Sequence, residues 1–341
     1  MCVAERLVIR VAFFNNKGGV GKTTLVYHVG WTLADLGVRV LLADLDPQSN
    51  LTALCVEEDQ LELLWADQDS ERRTMYGAVH PIVEGVGDIS EPHIEAMGRG
   101  LALLVGDIRL AGFEAQLSQA WPSCLDRNKA SYRVVTAFHR LIAKAERAQR
   151  ADVVLLDVGP NLGAINRSAM IAADWVVTPL GADLFSIQGL RNLGPTLATW
   201  RKEWGERIER NPVSDLDTPK GSMDPAGYVV LQPSLRMGRV TRAYEKWVAR
   251  IPKEYSTMLT PSPKVLPPSV EKDSYCLGVL KHYRSLVPLA HEARKPVFHL
   301  QAGDGALGAH STAALEAGKD FRRLTERLGK RIGVAIPSRA S

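Results

Sequence analysis

Residues 17–24 read Lys-Gly-Gly-Val-Gly-Lys-Thr-Thr, a combination of glycines, lysines and hydroxyls suited to binding phosphate oxygens. Gly18, Gly19 and Gly21 leave backbone amides free to curl around an anion, and a helix starting at the end of the segment adds unpaired amides and a favourable dipole. Val20 and Thr24 complete the cradle. Lys22 would meet the β and γ phosphates of a nucleoside triphosphate, and the Thr23 hydroxyl would hold Mg²⁺. The spacing G-x-x-x-x-G-K-[ST] is met except at its first glycine, which is Asn16 here. A turn that binds nothing is the plain alternative; the Lys-Thr pair, with a strand before it and a helix after it, argues against that.

Carboxylates are spaced to face such a site. Asp44 and Asp46 are separated by one residue at a strand's carboxyl end, so both side chains should point the same way if the strand geometry persists. The apolar run Val153-Val154-Leu155-Leu156 delivers Asp157 to the end of another strand, the arrangement that holds Mg²⁺ beside a bound triphosphate. For the first pair, turn chemistry is the competing reading, since Asp-x-x-x-Asn also caps helices.

The elements that must position these groups follow from periodicity. Leu7 to Phe14 reads as a strand buried on both faces, and Thr23 to Leu36 carries apolar residues at helical spacing with Gly37 as its stop. Further strands are predicted at Val38–Ala43, Leu101–Val105, Val153–Leu156, Trp175–Thr178, Tyr228–Leu231 and Val297–Leu300, and one helix over Val134–Arg150. Alternation of this kind predicts an α/β fold with a doubly wound, mostly parallel sheet and helices on both faces. Asn211–Ala226 and the proline-rich Thr260–Val270 read as connections. Residues 1–341 are expected to form a single domain, with a variable or inserted helical region at about 57–150 whose first part, 57–98, is acidic and weakly patterned.

The pattern K-G-G-x-G-K-T-T, with Lys17 five residues before Lys22, resembles the deviant Walker A box of the ParA/MinD family of P-loop ATPases. The resemblance continues through Asp44-Leu45-Asp46-Pro47-Gln48-Ser49-Asn50, which looks like that family's switch I. It extends to Asp157-Val158-Gly159-Pro160-Asn161, which looks like its switch II, and to residues 178–190 and 288–308. Switch II in the family is usually written D-x-P-P, so Gly159 and Asn161 depart from it. The resemblance implies ATP and Mg²⁺ as cofactors and a homodimer that sandwiches ATP, with Lys17 reaching the partner's nucleotide. It also implies that Asp46 orients or activates the attacking water, that Asp44 supports the magnesium shell, and that Gln232 and Pro233 lie near the base. A cation delivered in trans has a physical rationale, because phosphoryl transfer runs on positioning and charge neutralisation.

By the same resemblance the expected function is a slow, partner-stimulated ATPase that binds DNA nonspecifically and partitions or positions plasmid, chromosome or other cargo. The stimulating protein would be ParB-like or a cargo adaptor. Arg239, Arg242, Lys246 and Arg250, with Arg236 just before, fall at spacings that put them on one helix face, where fixed cations could contact phosphates. A solvated basic face is the bland alternative. Only a few residues precede Leu7, so no helix-turn-helix is expected ahead of the first strand.

A membrane-cycling, MinD-like ATPase is the alternative, since Phe321, Leu324, Leu328 and Ile332 line one face of a basic segment. Residues 319–341 hold seven Lys/Arg against two acids, a local charge of +5 in a chain of net charge +4. The same spacing fits a helix docked on the sheet, which is the expected arrangement. A metal-cluster reductase or metal-insertion ATPase has only Cys124 to support it, because the four cysteines lie far apart. With 45% hydrophobic and 23% charged residues, no long apolar run and no signal-peptide pattern, a cytoplasmic globular protein is expected, on the nucleoid if DNA is its track.

Overall fold

The computed structural model describes residues 8–98, 100–232, 242–260, 266–281, 283 and 285–337. Its centre is a sheet of eight strands among the described residues: β1 (Ile9–Phe13), β2 (Val40–Asp44), β3 (Glu95–Gly98), β4 (Leu101–Leu104), β5 (Val153–Asp157), β6 (Trp175–Gly181), β7 (Asp224–Leu231) and β8 (Cys276–Leu280). They lie in the order β3-β4-β2-β5-β1-β6-β7-β8, and every pairing is parallel except the edge hairpin β3–β4.

Successive residues of the inner strands feed opposite layers, as the two-residue period requires. Val11 and Phe13 of β1 join one apolar layer with Val40, Leu42, Val153 and Leu155, while Ala12, Leu41, Ala43, Val154 and Leu156 join the other. This two-sided burial explains why the strands read as continuous apolar runs.

Thirteen helices are described: α1 (Lys22–Asp35), α2 (Asn50–Cys55), α3 (Glu58–Leu64), α4 (Met75–Val83), α5 (Glu114–Ser123), α6 (Lys129–Val135), α7 (Ala137–Gln149), α8 (Ala164–Ile171), α9 (Leu184–Arg210), α10 (Arg242–Val248), α11 (Ile251–Leu259), α12 (Val287–Ala293) and α13 (Ala309–Ile332). Residues of α4 to α9 make one apolar layer, and residues of α1, α2, α12 and α13 the other. In α13, Phe321, Leu324, Leu328 and Ile332 are all buried against that second layer. The apolar stripe that could have met a lipid surface is therefore used internally, and among the described residues no helix is long and apolar enough to cross a membrane.

Two local expectations are corrected. The predicted strand at Val297–Leu300 is a 3-10 turn, Val297–His299, because Pro296 fixes an extended entry and the His299 amide closes back on the Pro296 carbonyl at 2.8 Å. The edge strand is instead Cys276–Leu280. The predicted helix over Val134–Arg150 is two helices, α6 and α7, broken at Thr136, whose hydroxyl donates to the Tyr132 carbonyl at 2.7 Å. Within residues 57–150 the predicted strand Leu101–Val105 is found as β4, and an unpredicted strand, β3, pairs with it at the sheet edge.

Candidate functional site

The chain runs from β1 to β2 on one side and, after β5, crosses to β6 on the other side of β1. Such a reversal leaves a crevice at the carboxyl ends of the strands. β1 opens there into residues 14–21, and α1 begins at Lys22.

Several side chains hold this loop from behind. The Asn15 side chain donates to the Pro179 carbonyl at 2.6 Å and accepts from the Lys17 amide at 2.9 Å. Helix α9 approaches so closely that a Cβ at Gly189 would lie 2.8 Å from Asn16 Oδ1, so a glycine there lets the helix brace the loop. Gly21 caps α1 at φ 71°, and a Cβ added to it would meet Leu231 at 2.9 Å. By contrast, a Cβ at Gly18 or Gly19 would meet nothing within 4 Å. The loop is thus braced behind and open in front, as an anion cradle must be.

Lys22 is buried at the start of α1. Burial lowers its pKa, while Asp157 and Asp46 pull the other way and favour its charge. Asp157, at the end of β5, is wholly buried. Neither of its carboxylate oxygens has a protein hydrogen bond of good geometry, although the Thr23 side chain lies near enough to favour the ionised form. Burial first, and then Asp44, push the Asp157 carboxyl well above the usual carboxylate range. A buried carboxylate without a well-formed hydrogen bond, beside a threonine hydroxyl, supplies oxygen donors that suit a hard divalent cation.

The switch I acids divide. Asp44 is wholly buried, and its oxygens accept from the Thr52 amide at 2.8 Å, the Thr52 hydroxyl at 2.7 Å and the Asp46 amide at 3.3 Å. Burial pushes its carboxyl up to about 7 against those hydrogen bonds. Asp46 Oδ1 accepts from the Gln48 amide at 3.0 Å. Asp46 also lies beside the segment after β5, since a Cβ on Gly159 would stand 3.3 Å from that same oxygen. Asp44, Asp46 and Asp157 therefore converge with Lys22 and Thr23 at one end of the sheet.

Lys17 projects from the loop to Asp183, with Nζ 2.6 Å from Oδ2, and sits 5.8 Å from the Phe185 ring centroid. Asp183 also caps α9 by accepting from the Ser186 amide at 2.9 Å. Burial would raise its carboxyl, but the hydrogen bonds from Lys17 and Ser186 outweigh this and hold it below the usual range.

Beside the loop opens a cavity of about 560 Å³ lined by Gly21, Thr24, Leu231, Gln232, Leu280 and Val287 among others. Gln232, expected near the base, therefore lines this cavity. Pro233, Arg236 and Arg239 lie outside the described residues, as does the side chain of Arg242. The single helix face expected for the basic stripe is interrupted: α10 ends at Val248, and α11 restarts at Ile251 with Pro252 in its first turn. Lys246 and Arg250 nevertheless meet on Trp247, 5.5 and 5.0 Å from its ring centroid.

Sequence reasoning left Asn15, Thr52, Glu114, Asn166 and Asp183 without roles. Asp183-x-x-Ser186 carried a visible signal, the spacing of a helix cap. Glu114 carried none, because it acts on α8 from a helix 50 positions earlier.

A family model described as an AAA domain (AAA_31) matches residues 8–210. The chain is 32% identical over 200 residues to the chromosome partitioning protein ParA of Caulobacter vibrioides, a match covering 58% of this chain and 66% of that one. The alignment thus spans just under two thirds of that relative's length. Protein DIP2308 from Corynebacterium diphtheriae superposes with a TM-score of 0.66 at 26% identity, covering 95% of this chain and 99% of that one. Cobyrinic acid a,c-diamide synthase from Mycobacterium smegmatis, solved with bound ADP and magnesium, gives a TM-score of 0.51 at 26% identity, covering 78% and 89%.

Proposed function

Because the chain belongs to the ParA/MinD family within the AAA_31 domains, we propose that it is a positioning ATPase that binds ATP with Mg²⁺, dimerises around it and hydrolyses it slowly until a partner protein stimulates turnover. The observation that carries the reading is Asp157: a fully buried carboxylate whose oxygens have no protein hydrogen bond of good geometry, beside Lys22 and Thr23 at the end of an open glycine loop. We read the whole chain as one P-loop domain, with residues 57–150 built into it.

In this reading the amides of residues 18–22 and the Lys22 ammonium bind the phosphates, and the cavity beside Gln232 receives the base. Thr23 and Asp157 would hold the magnesium ion, with Asp44 behind them as a support fixed by Thr52; when bound, the metal neutralises charge on the phosphates. Asp46, adjacent to Gly159, orients the attacking water. Lys17 serves the partner's nucleotide, and the exposed Leu184 and Phe185 beside it, 49% and 71% accessible, supply apolar surface for that partner. DNA is the proposed track, contacted through Lys246, Arg250 and the neighbouring arginines, and the cytoplasm the working location. The membrane-cycling alternative loses its main support, since the apolar face of α13 is buried.

The test is sizing by light scattering together with binding to random-sequence duplex DNA, in ATP, ADP and no nucleotide, across a salt series. An ATP-dependent dimer with salt-sensitive DNA retention supports the full cycle. A dimer that ignores DNA keeps the ATPase and removes the track. Asp46→Ala should dimerise with ATP yet lose turnover, and a fully active variant would overturn its catalytic role.

A further inference from the structure

The segment between Asp157 and α8 has Gly159 where its family's D-x-P-P pattern has a proline, followed by Asn161 after Pro160, and the structure supplies a physical account of both residues. Its far end is fastened from outside: the Glu114 carboxylate on α5 accepts from the Ala164 and Ile165 amides, the first turn of α8, at 2.6 and 2.8 Å. Its middle is fastened from within by Asn166, a residue of α8 that is 1% exposed. Asn166 Nδ2 donates to the Gly159 carbonyl at 2.8 Å and the Asn161 carbonyl at 2.6 Å, and Asn166 Oδ1 accepts from the Gly159 amide at 3.1 Å. Asn161 Oδ1 completes the loop by accepting from the Gly163 amide at 2.9 Å and from Asn166 Nδ2 at 3.1 Å.

A proline at 159 has no N–H, so it would leave Asn166 Oδ1 without that donor inside a buried site. Position 159 also lies close to Asp46, with a hypothetical Cβ 3.3 Å from Asp46 Oδ1. One side chain therefore grips both polar groups of the residue that abuts the proposed water-orienting acid.

We infer that Asn166 is a positioning residue for phosphoryl transfer: its two-sided bond to Gly159 sets the separation between the Asp157–Gly159 segment and Asp46, replacing with a reversible hydrogen-bonded clasp the stiffness that a second proline would give. The inference rests on the ATPase reading for its kinetic consequence, but the clasp itself does not. Asn166 touches no reacting atom, and it acts through Gly159. Because hydrogen bonds can open where a proline ring cannot, the loop can rearrange between nucleotide states by breaking the clasp while Glu114 keeps α8 in place.

The experiment compares wild type, Asn166→Ala, Gly159→Pro and the double variant in the full chain. Three quantities are read: kcat for ATP, equilibrium affinity for ATP, and hydrogen exchange of residues 158–165. A displaced catalytic segment costs rate rather than binding, so Asn166→Ala should lower kcat by about tenfold with ATP affinity essentially unchanged. It should also speed exchange across 158–165 while leaving β1 and β5 protected. Gly159→Pro, which removes only the amide bond to Asn166 Oδ1, should lower kcat by less than Asn166→Ala, which removes that bond and the donations from Nδ2 as well, and the double variant should be no worse than Asn166→Ala alone. Unchanged kcat and exchange in Asn166→Ala, full activity in Gly159→Pro, or losses that multiply in the double variant would each overturn the inference. Should Asn166→Ala fail to fold, Gly159→Pro decides alone, since it removes the Gly159 amide bond of the clasp from the loop side. If wild type shows no ATP turnover with DNA and magnesium present, the ATPase reading fails, and the exchange comparison still decides whether the clasp exists.

Discussion

At the amino ends of the strands, Arg10 of β1 is buried, and its guanidinium is met by Glu146 at 2.9 and 2.8 Å and by His139 Nδ1 at 2.5 Å. His139 passes the contact on to Asp217 at 3.0 Å, and the Arg10 amide donates to Asp174 at 2.9 Å. At the carboxyl ends of the strands Asp157 is buried as well, yet neither oxygen has a protein hydrogen bond of good geometry, and only the nearby Thr23 side chain and the Lys22 charge favour its ionised form. The two ends therefore bury charge on opposite terms. One pairs its buried charges and so contributes to the fold, while the other leaves a carboxylate poorly paired, at a cost to the nucleotide-free protein that a bound cation would offset.

The largest test of this contrast is Glu146→Ala. It strands a buried guanidinium, so stability to urea should fall by about 3–5 kcal/mol, while the molecules that remain folded bind ATP as wild type does. A loss much below this would mean that water already reaches Arg10, and the contrast between the two ends would weaken.

At the open end, Asp157→Asn should have the reverse profile. Removal of a group that would hold the metal should cost turnover about a hundredfold or more. Stability without nucleotide should hold or rise, because a neutral amide replaces a desolvated acid. A clear fall in the nucleotide-free melting temperature would show that Asp157 is structurally paired after all.

Acid titration separates the ends further. His28, on α1, is buried and stacked on Phe321 at 4.7 Å; its Nδ1 lies 2.7 Å from the Thr24 carbonyl and its Nε2 accepts from the Val297 amide at 3.2 Å. Burial lowers its pKa to about 4. His139, also lowered chiefly by burial, has Asp217 to favour its charged form. The unfolded chain binds a proton at His28 near pH 6.5 that the folded chain refuses until about pH 4. The stability this residue contributes is therefore complete above the unfolded value and is lost as pH falls between the two. Urea unfolding at pH 7 and 4.5 should differ by about 2 kcal/mol from this residue alone, and His28→Phe should remove that part of the slope. An unaltered slope would assign the acid sensitivity to the Arg10 cluster.

Much of this was legible in the sequence, for reasons that can be named. Strands β1, β2 and β5 are buried on both faces, which leaves no ambiguity in an apolar run ended by a turn or an acid. The loop at 17–24 is legible because local chemistry alone specifies it. What escaped depends on partners distant along the chain. Nothing near Glu114 announces that it caps α8, and Asn166 looks like any polar residue on a helix until the fold brings Gly159 to it. β8 escaped because Gly278 interrupts the apolar run CLGVL, and Val297–Leu300 misled because a short, mostly apolar segment after a proline fits a 3-10 turn equally well.

The smallest effect sits on the rim of the open end. Lys17 and Asp183 form an ion pair whose side chains are 32% and 38% exposed, so the pair should contribute no more than about 0.2–1 kcal/mol. Asp183→Asn keeps an oxygen to accept from the Ser186 amide and so preserves the cap of α9, while removing the charge that ties Lys17 to its own chain. Stability should change little. If Lys17 serves the partner's nucleotide, releasing it from Asp183 lowers the energy needed to redirect it. The ATP concentration for half-maximal dimerisation should then fall by up to about fivefold, the equivalent of the pair's upper limit. A rise in that concentration would instead mean that Asp183 presents Lys17 to the partner rather than restraining it, and the open end would be a surface already arranged for association.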